Sequence, residues 1–124
     1  MGYTFNTDDK ANLIEVIYDE FTTLDQRREI LVKLTGILDD NPTINVLVDV
    51  SRSHHLLTED EELEFGHLLS ENRAFFAKNK TAVVTGVENP HPLIQNEAYI
   101  EGFGQMVEFK GRNEALDWLY GRIK

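Results

Sequence analysis

Two rhythms of apolar and polar residues alternate along this chain. Residues 13–21, LIEVIYDEF, are rich in β-branched and aromatic side chains and read as a strand. A shorter strand at residues 3–5 precedes it, and Asp8, Asp9, Lys10, Ala11 and Asn12 supply turn chemistry between them, which predicts a hairpin. At Thr23 the rhythm changes. Thr23 and Gln26 have the spacing of a capping box. Ile30, Leu31, Leu34, Ile37 and Leu38 then recur at helical intervals until Asn41 and Pro42 stop the helix.

The next segment, INVLVDV at residues 44–50, is almost continuously apolar, as expected of a central parallel strand buried on both faces. Thr58 and Glu61 repeat the capping-box spacing and open a second helix, whose buried face is expected to carry Phe65, Leu68, Leu69, Phe75 and Phe76. TAVVTG (81–86) reads as a strand, ENPHP as a loop, residues 93–103 as a helix and MVEFK (106–110) as the last strand. After Gly111, the stripe Ala115, Leu116, Leu119 and Ile123 predicts a closing helix. These elements predict a single α/β domain over residues 1–124, an N-terminal hairpin followed by βα units, with a mostly parallel sheet of about five strands and four helices.

Composition narrows the range of functions. The chain has 124 residues, the size of one domain, and 41% of them are hydrophobic. Twenty-two acidic residues against twelve basic ones give a net charge of −10, which repels phosphate backbones and disfavours nucleic-acid binding. The lack of cysteine removes disulfides, thiolate catalysis and thiolate metal ligation. No signal-peptide pattern and no apolar run of membrane-spanning length is present, so a soluble, cytoplasmic protein without a membrane span is expected. The Gly2 of MGYTFN lacks the Ser or Thr of a myristoylation signal, and the sequon at Asn79 reads as chance.

Three segments, VLVDVS (46–51), KTAVVTG (80–86) and VEFKGRNEALDWL (107–119), in this order of elements, resemble the SpoIIAA-like family. That family is a branch of the STAS fold found in anti-anti-sigma factors and in sulphate-transporter tails. The resemblance spans nearly the whole chain, and its most specific part is the strand, polar turn and EALDWL at the end. It implies a SpoIIAA/STAS-like architecture and a non-enzymatic interaction or regulatory module. In the anti-anti-sigma branch, a loop ending in Asp-Ser-Ser/Thr-Gly follows the strand similar to VLVDVS, and its Ser or Thr is phosphorylated. The comparison sets Thr58 at the phosphoacceptor position, with Leu57 in place of the Asp and Glu59 and Asp60 in place of the small residue and glycine. Ser51 is a second candidate hydroxyl.

Thr58 has a plainer role as a helix cap, since four acids in the following turn would repel a phosphate. If the strand at 81–86 runs parallel beside the one at 44–50, Ser53, His54 and His55 share the C-terminal rim of the sheet with Glu88, Asn89 and His91. Open α/β sheets bind ligands at that rim. The alternative function is therefore a protein that binds a small or apolar molecule there. Asp49, with Thr85 and Lys110, has part of a receiver-type phosphoacceptor set, but the acid pair Asp39 and Asp40 sits at a helix end rather than after the first strand. The acidic run at 59–64 lacks the spacing and glycine of a calcium loop. No catalytic motif is found, and no cofactor or metal is implied. Phe75, Phe76, Phe103 and Trp118 are candidates for an exposed interface, and the expected partner is another protein or a second copy in a homodimer.

Overall fold

A computed structural model describes residues 2–53, 57–86 and 105–121. The elements are β1 (Tyr3–Asp8), β2 (Leu13–Tyr18), α1 (Leu24–Asp40), β3 (Asn45–Asp49), α2 (Glu59–Glu71), a 3-10 turn (Arg73–Phe76), β4 (Lys80–Val84), β5 (Gln105–Phe109) and α3 (Arg112–Leu119). The five strands form one sheet in sequence order, with β1 antiparallel to β2 and every other pair parallel. The α/β class, the hairpin and the mostly parallel five-stranded sheet agree with the sequence pattern. Three α-helices lie among the described residues, and the helix expected at 93–103 falls outside them.

Right-handed crossovers between neighbouring parallel strands put the connecting helices on one face of the sheet. Accordingly, Ile14, Val16, Val46, Val50 and Val83 point to the side of α1 and α2, where they join Ile30, Leu31, Leu34, Leu38, Phe65 and Leu69 in the larger core cluster. The alternate residues Leu13, Leu47, Ala82 and Val84 point the other way and pack under α3 against Ala115 and Leu119. Strand β3 contributes to both clusters, which is why its sequence is apolar on successive residues.

Both capping boxes form. The Thr23 hydroxyl accepts from Gln26 N at 3.2 Å, and the Gln26 side chain accepts from Thr23 N at 2.8 Å. Thr58 and Glu61 repeat the arrangement at 3.2 and 3.1 Å. In the hairpin, Asn12 takes the left-handed conformation (φ 54°) that closes the turn, and its carbonyl accepts from Asn45 N at 3.1 Å.

Three sequence expectations are corrected. Strand β1 runs to Asp8 rather than ending at residue 5, because Asn6 to Asp8 pair with Leu13 to Glu15 although their side chains are polar. Strand β2 stops at Tyr18, so Asp19, Glu20 and Phe21 belong to the loop before α1. Phe75 and Phe76 are not on α2. The Asn72 amide donates to Leu68 O at 2.8 Å and ends the helix, and the 3-10 turn that follows buries Phe76 while leaving Phe75 partly exposed.

Candidate functional site

The C-terminal ends of the parallel strands form a rim that also carries the start of each helix. At its β1–β2 side, Asp19 N donates to Gly2 O at 2.9 Å, and the Thr22 hydroxyl donates to the same carbonyl and to Asp19 O at 3.2 Å. Gly2 is in the left-handed region (φ 88°), and a Cβ there would overlap the Gln26 side chain. These constraints shape a recess of about 590 Å³ lined by Gly2, Asp19, Glu20, Phe21 and Arg52. Phe21 is 61% exposed beside it, an unusual position for a large aromatic side chain.

Toward the centre of the rim, Asp49 ends β3, and one of its carboxylate oxygens accepts from both Ser51 N (2.9 Å) and the Ser51 hydroxyl (2.6 Å). Ser51 is therefore held in a turn by Asp49. Ser53 is buried, and its N–H donates to Val50 O at 3.0 Å. Gly86, at the end of β4, also has a positive φ of 77°, and a Cβ there would come within 3.1 Å of Ser51 Cβ. Close approach of the two loops thus requires glycine at this position.

Thr58 is exposed, and its hydroxyl is occupied as the N-cap of α2. Glu59, Asp60, Glu61 and Glu62 fill the first turn after it. Thr85 is fully buried, with its hydroxyl directed to Gly86 O and Phe109 O, and Lys110 lies 3.9 Å from Glu108. Asp39 and Asp40 end α1 just before β3 begins, at the opposite end of the strands from Asp49, so the partial receiver-type set does not assemble. Among the described residues, no group of three His, Asp or Glu could hold a metal ion, and no helix is long and apolar enough to cross a membrane. His54, His55, Glu88, Asn89, His91 and Phe103 lie outside the described residues.

Sequence reasoning missed Arg27, which is 3% exposed. Its guanidinium lies 5.2 Å from the Tyr18 ring centroid and 5.5 Å from that of Phe65, and Nε donates to Thr22 O at 3.4 Å. Burial pulls its pKa down, while Tyr18, Glu62 and Glu61 pull it back up. Arg27 thereby ties the rim ends of β2, α1 and α2 together. A signal existed: Leu24, Arg27, Leu31, Leu34 and Leu38 lie on one helical stripe, so a cation stands where an apolar residue is expected. The recess residues had no such signal, because they meet through the hairpin and the loop after β3.

On the other face, Arg112 at the start of α3 makes a two-pronged ion pair with Glu15 on β2 (2.7 and 3.1 Å), which raises its pKa, with Asp49 adding a smaller effect in the same direction. Of the aromatics expected at an interface, Phe76 is core and Trp118 packs on Phe109 with ring centroids 5.6 Å apart. The large apolar side chains most exposed among the described residues are instead Val32, Phe21 and Leu63. No family model, curated protein or solved structure matches the chain.

Proposed function

We propose that the protein is a non-enzymatic interaction or regulatory module of the SpoIIAA-like type, and that the C-terminal rim is the surface it presents to a partner protein. The observation that carries this reading is an exposed Phe21 at the mouth of a recess, set on an edge rich in acids. Asp19 and Glu20 line the recess, Asp25 lies in the first turn of α1, and Glu59 to Glu62 lie in that of α2. An aromatic anchor beside a concavity is the usual centre of a protein interface. With a chain charge of −10, two such rims would repel one another, so a basic-faced partner fits better than a second copy. Thr58 and Ser51 remain the hydroxyls whose phosphorylation would regulate docking. Each is already engaged in a local hydrogen bond that a phosphate would displace.

A photocrosslinking amino acid placed at position 21 and expressed in the native host tests this. One reproducible protein adduct is expected, absent when the same group replaces Val32 on the outer face of α1. Equal labelling from both positions, or none from either, would count against the rim.

The second reading is a small-molecule site in the same recess. Its volume lies within the range of about 300–1,000 Å³ typical of ligand pockets. A bound compound released on denaturation, with no protein adduct at position 21, would favour it.

A further inference from the structure

Strand β1 is an edge of the sheet, with β2 as its neighbour on one side. An antiparallel ladder joins the two strands through alternate residues. Because Asp19 N donates to Gly2 O, the backbone groups of Gly2, Thr4, Asn6 and Asp8 turn toward β2, and those of Tyr3, Phe5 and Thr7 turn outward. The outward N–H and C=O groups have no backbone partner among the described residues. Residues 87–104 connect β4 to β5, at the other edge. Proteins commonly guard such an edge with proline, lysine, a bulge or a very short strand. Strand β1 has none of these: its six residues, YTFNTD, pair with β2 in unbroken register, and Asp8 at the end is the one charge.

The two faces of this edge differ. Tyr3 and Phe5 are half-buried against the core beneath α1, and the Lys33 ammonium, 3.6 Å from Glu29, lies 5.1 and 5.4 Å from their ring centroids. Thr4, Asn6 and Asp8 are exposed on the opposite face. Acids stand at both ends of the strand, Asp8 and Asp9 at the hairpin turn and Asp19 and Glu20 beside Gly2, where β1 meets the recess. We infer that β1 takes up an extended basic segment of the partner protein as a sixth, antiparallel strand. Residues directly opposite in such a pair share a face, so the apolar side chains of the segment lie beside Tyr3 and Phe5 and its lysines or arginines beside Thr4, Asn6 and Asp8. Main-chain hydrogen bonds then supply affinity, and the alternate side chains supply specificity. A second copy of this chain fits worse, because pairing β1 with itself brings the same acids together. The inference rests on the reading of the rim as a docking surface, since the added strand ends at the recess and is the form in which the basic-faced partner docks.

The test is an NMR titration of the isotope-labelled protein with a short acetylated peptide of alternating valine and lysine. Saturable shifts of the Tyr3, Phe5 and Thr7 amides are expected, and these amides should become protected from hydrogen exchange. Methylating the valine nitrogens, which lie opposite Tyr3, Phe5 and Thr7, should abolish binding, whereas methylating the lysine nitrogens, which face away, should leave it within about twofold. Glutamate in place of every lysine should weaken binding by about tenfold or more. On the protein side, Thr7→Pro removes one outward N–H and leaves the ladder to β2 intact, so it should abolish binding while Thr7→Ala retains it. The inference is overturned if the wild type shows no saturable shift at these three amides, if the two methylated peptides bind alike, or if the acidic peptide binds as well as the basic one. The methylated peptides act on the wild-type protein, so the result does not depend on whether Thr7→Pro folds. Shifts confined to Asp19, Glu20 and Phe21 overturn strand addition and leave the rim reading standing, which the adduct at position 21 tests separately.

Discussion

Among the described residues, the sheet buries a cluster of sixteen under α1 and α2, Arg27 stands beside it between two aromatic rings, and a cavity remains. Under α3 the corresponding cluster has six of the described residues, two of them alanines with no exposed surface, and polar contacts hold its margins. Arg112 grips Glu15 at one end of the helix. At the other, the Tyr120 hydroxyl donates to Ala11 O at 2.9 Å, and Lys80 Nζ donates to Trp118 O at 3.2 Å while lying 5.2 Å from the Trp118 ring centroid. A helix of eight residues cannot hold itself together in water, so α3 depends on close packing over small residues and on these ties. The first face has bulk to spare and tolerates a void; the second has little bulk and needs close fit.

Truncation should expose that difference most strongly. Leu38→Ala, at a side chain on the buried face of α1 that is only 1% exposed, is expected to cost about 2–5 kcal/mol. Leu119→Ala, at the margin of the smaller cluster, should fall at the lower end of that range, as read from urea unfolding midpoints. The opposite order would mean that the smaller core dominates stability.

Enlargement sharpens the contrast at neighbouring positions on β4. Ala82→Val pushes into the closely packed α3 side and should destabilise by about 1–3 kcal/mol. Val83→Ile points into the cavity and should be neutral or stabilising. Equal penalties in thermal unfolding would show that the cavity is not available space.

The two helix caps allow a finer comparison, because their geometry is the same while their charges differ. Thr23→Ala and Thr58→Ala should each cost about 1 kcal/mol. The four acids after Thr58 interact favourably with the helix N-terminus and will partly sustain α2 without its cap, so the Thr58 penalty should be the smaller at low salt.

A smaller effect is expected at the edge strand. Tyr3 hydrogen-bonds Glu29 and accepts from Lys33 at 2.9 Å, and the Tyr3 bond is the main cause that lowers the Glu29 pKa below its ordinary 4.5. A depressed folded-state pKa gives stability that is present above the unfolded value and lost as pH falls through the folded one. Side-chain carbon NMR should therefore show Glu29 titrating below 4.5, and Tyr3→Phe should return it toward that value.

Much of the fold was legible because each element announces itself locally. Alternation and β-branching mark β2, continuous apolarity marks β3, and Thr-x-x-Gln and Thr-x-x-Glu mark the two helix starts. The end of β1 leaves no apolar signature, because edge pairing stabilises Asn6 to Asp8 through the backbone. The periodicity of apolar residues continues past Asn72 to Phe75 and hides the end of α2, which the Asn72 side chain makes. The site was less legible. Asp49 and Ser51 are two residues apart and could be read together, whereas Gly2, Phe21 and Arg52 become neighbours only when β1 folds back and β3 pairs beside β2.

The rim, where the connecting helices begin, is the part of the molecule whose proposed role is most exposed to test. Native mass spectrometry of gently purified protein, with the wild type and Phe21→Glu side by side, addresses it directly. The expected wild-type spectrum shows the 14.3 kDa chain joined to a second, different protein, and Phe21→Glu shows the chain alone. A wild-type chain that flies without a partner, or an assembly indifferent to Phe21→Glu, would contradict the rim as the docking surface.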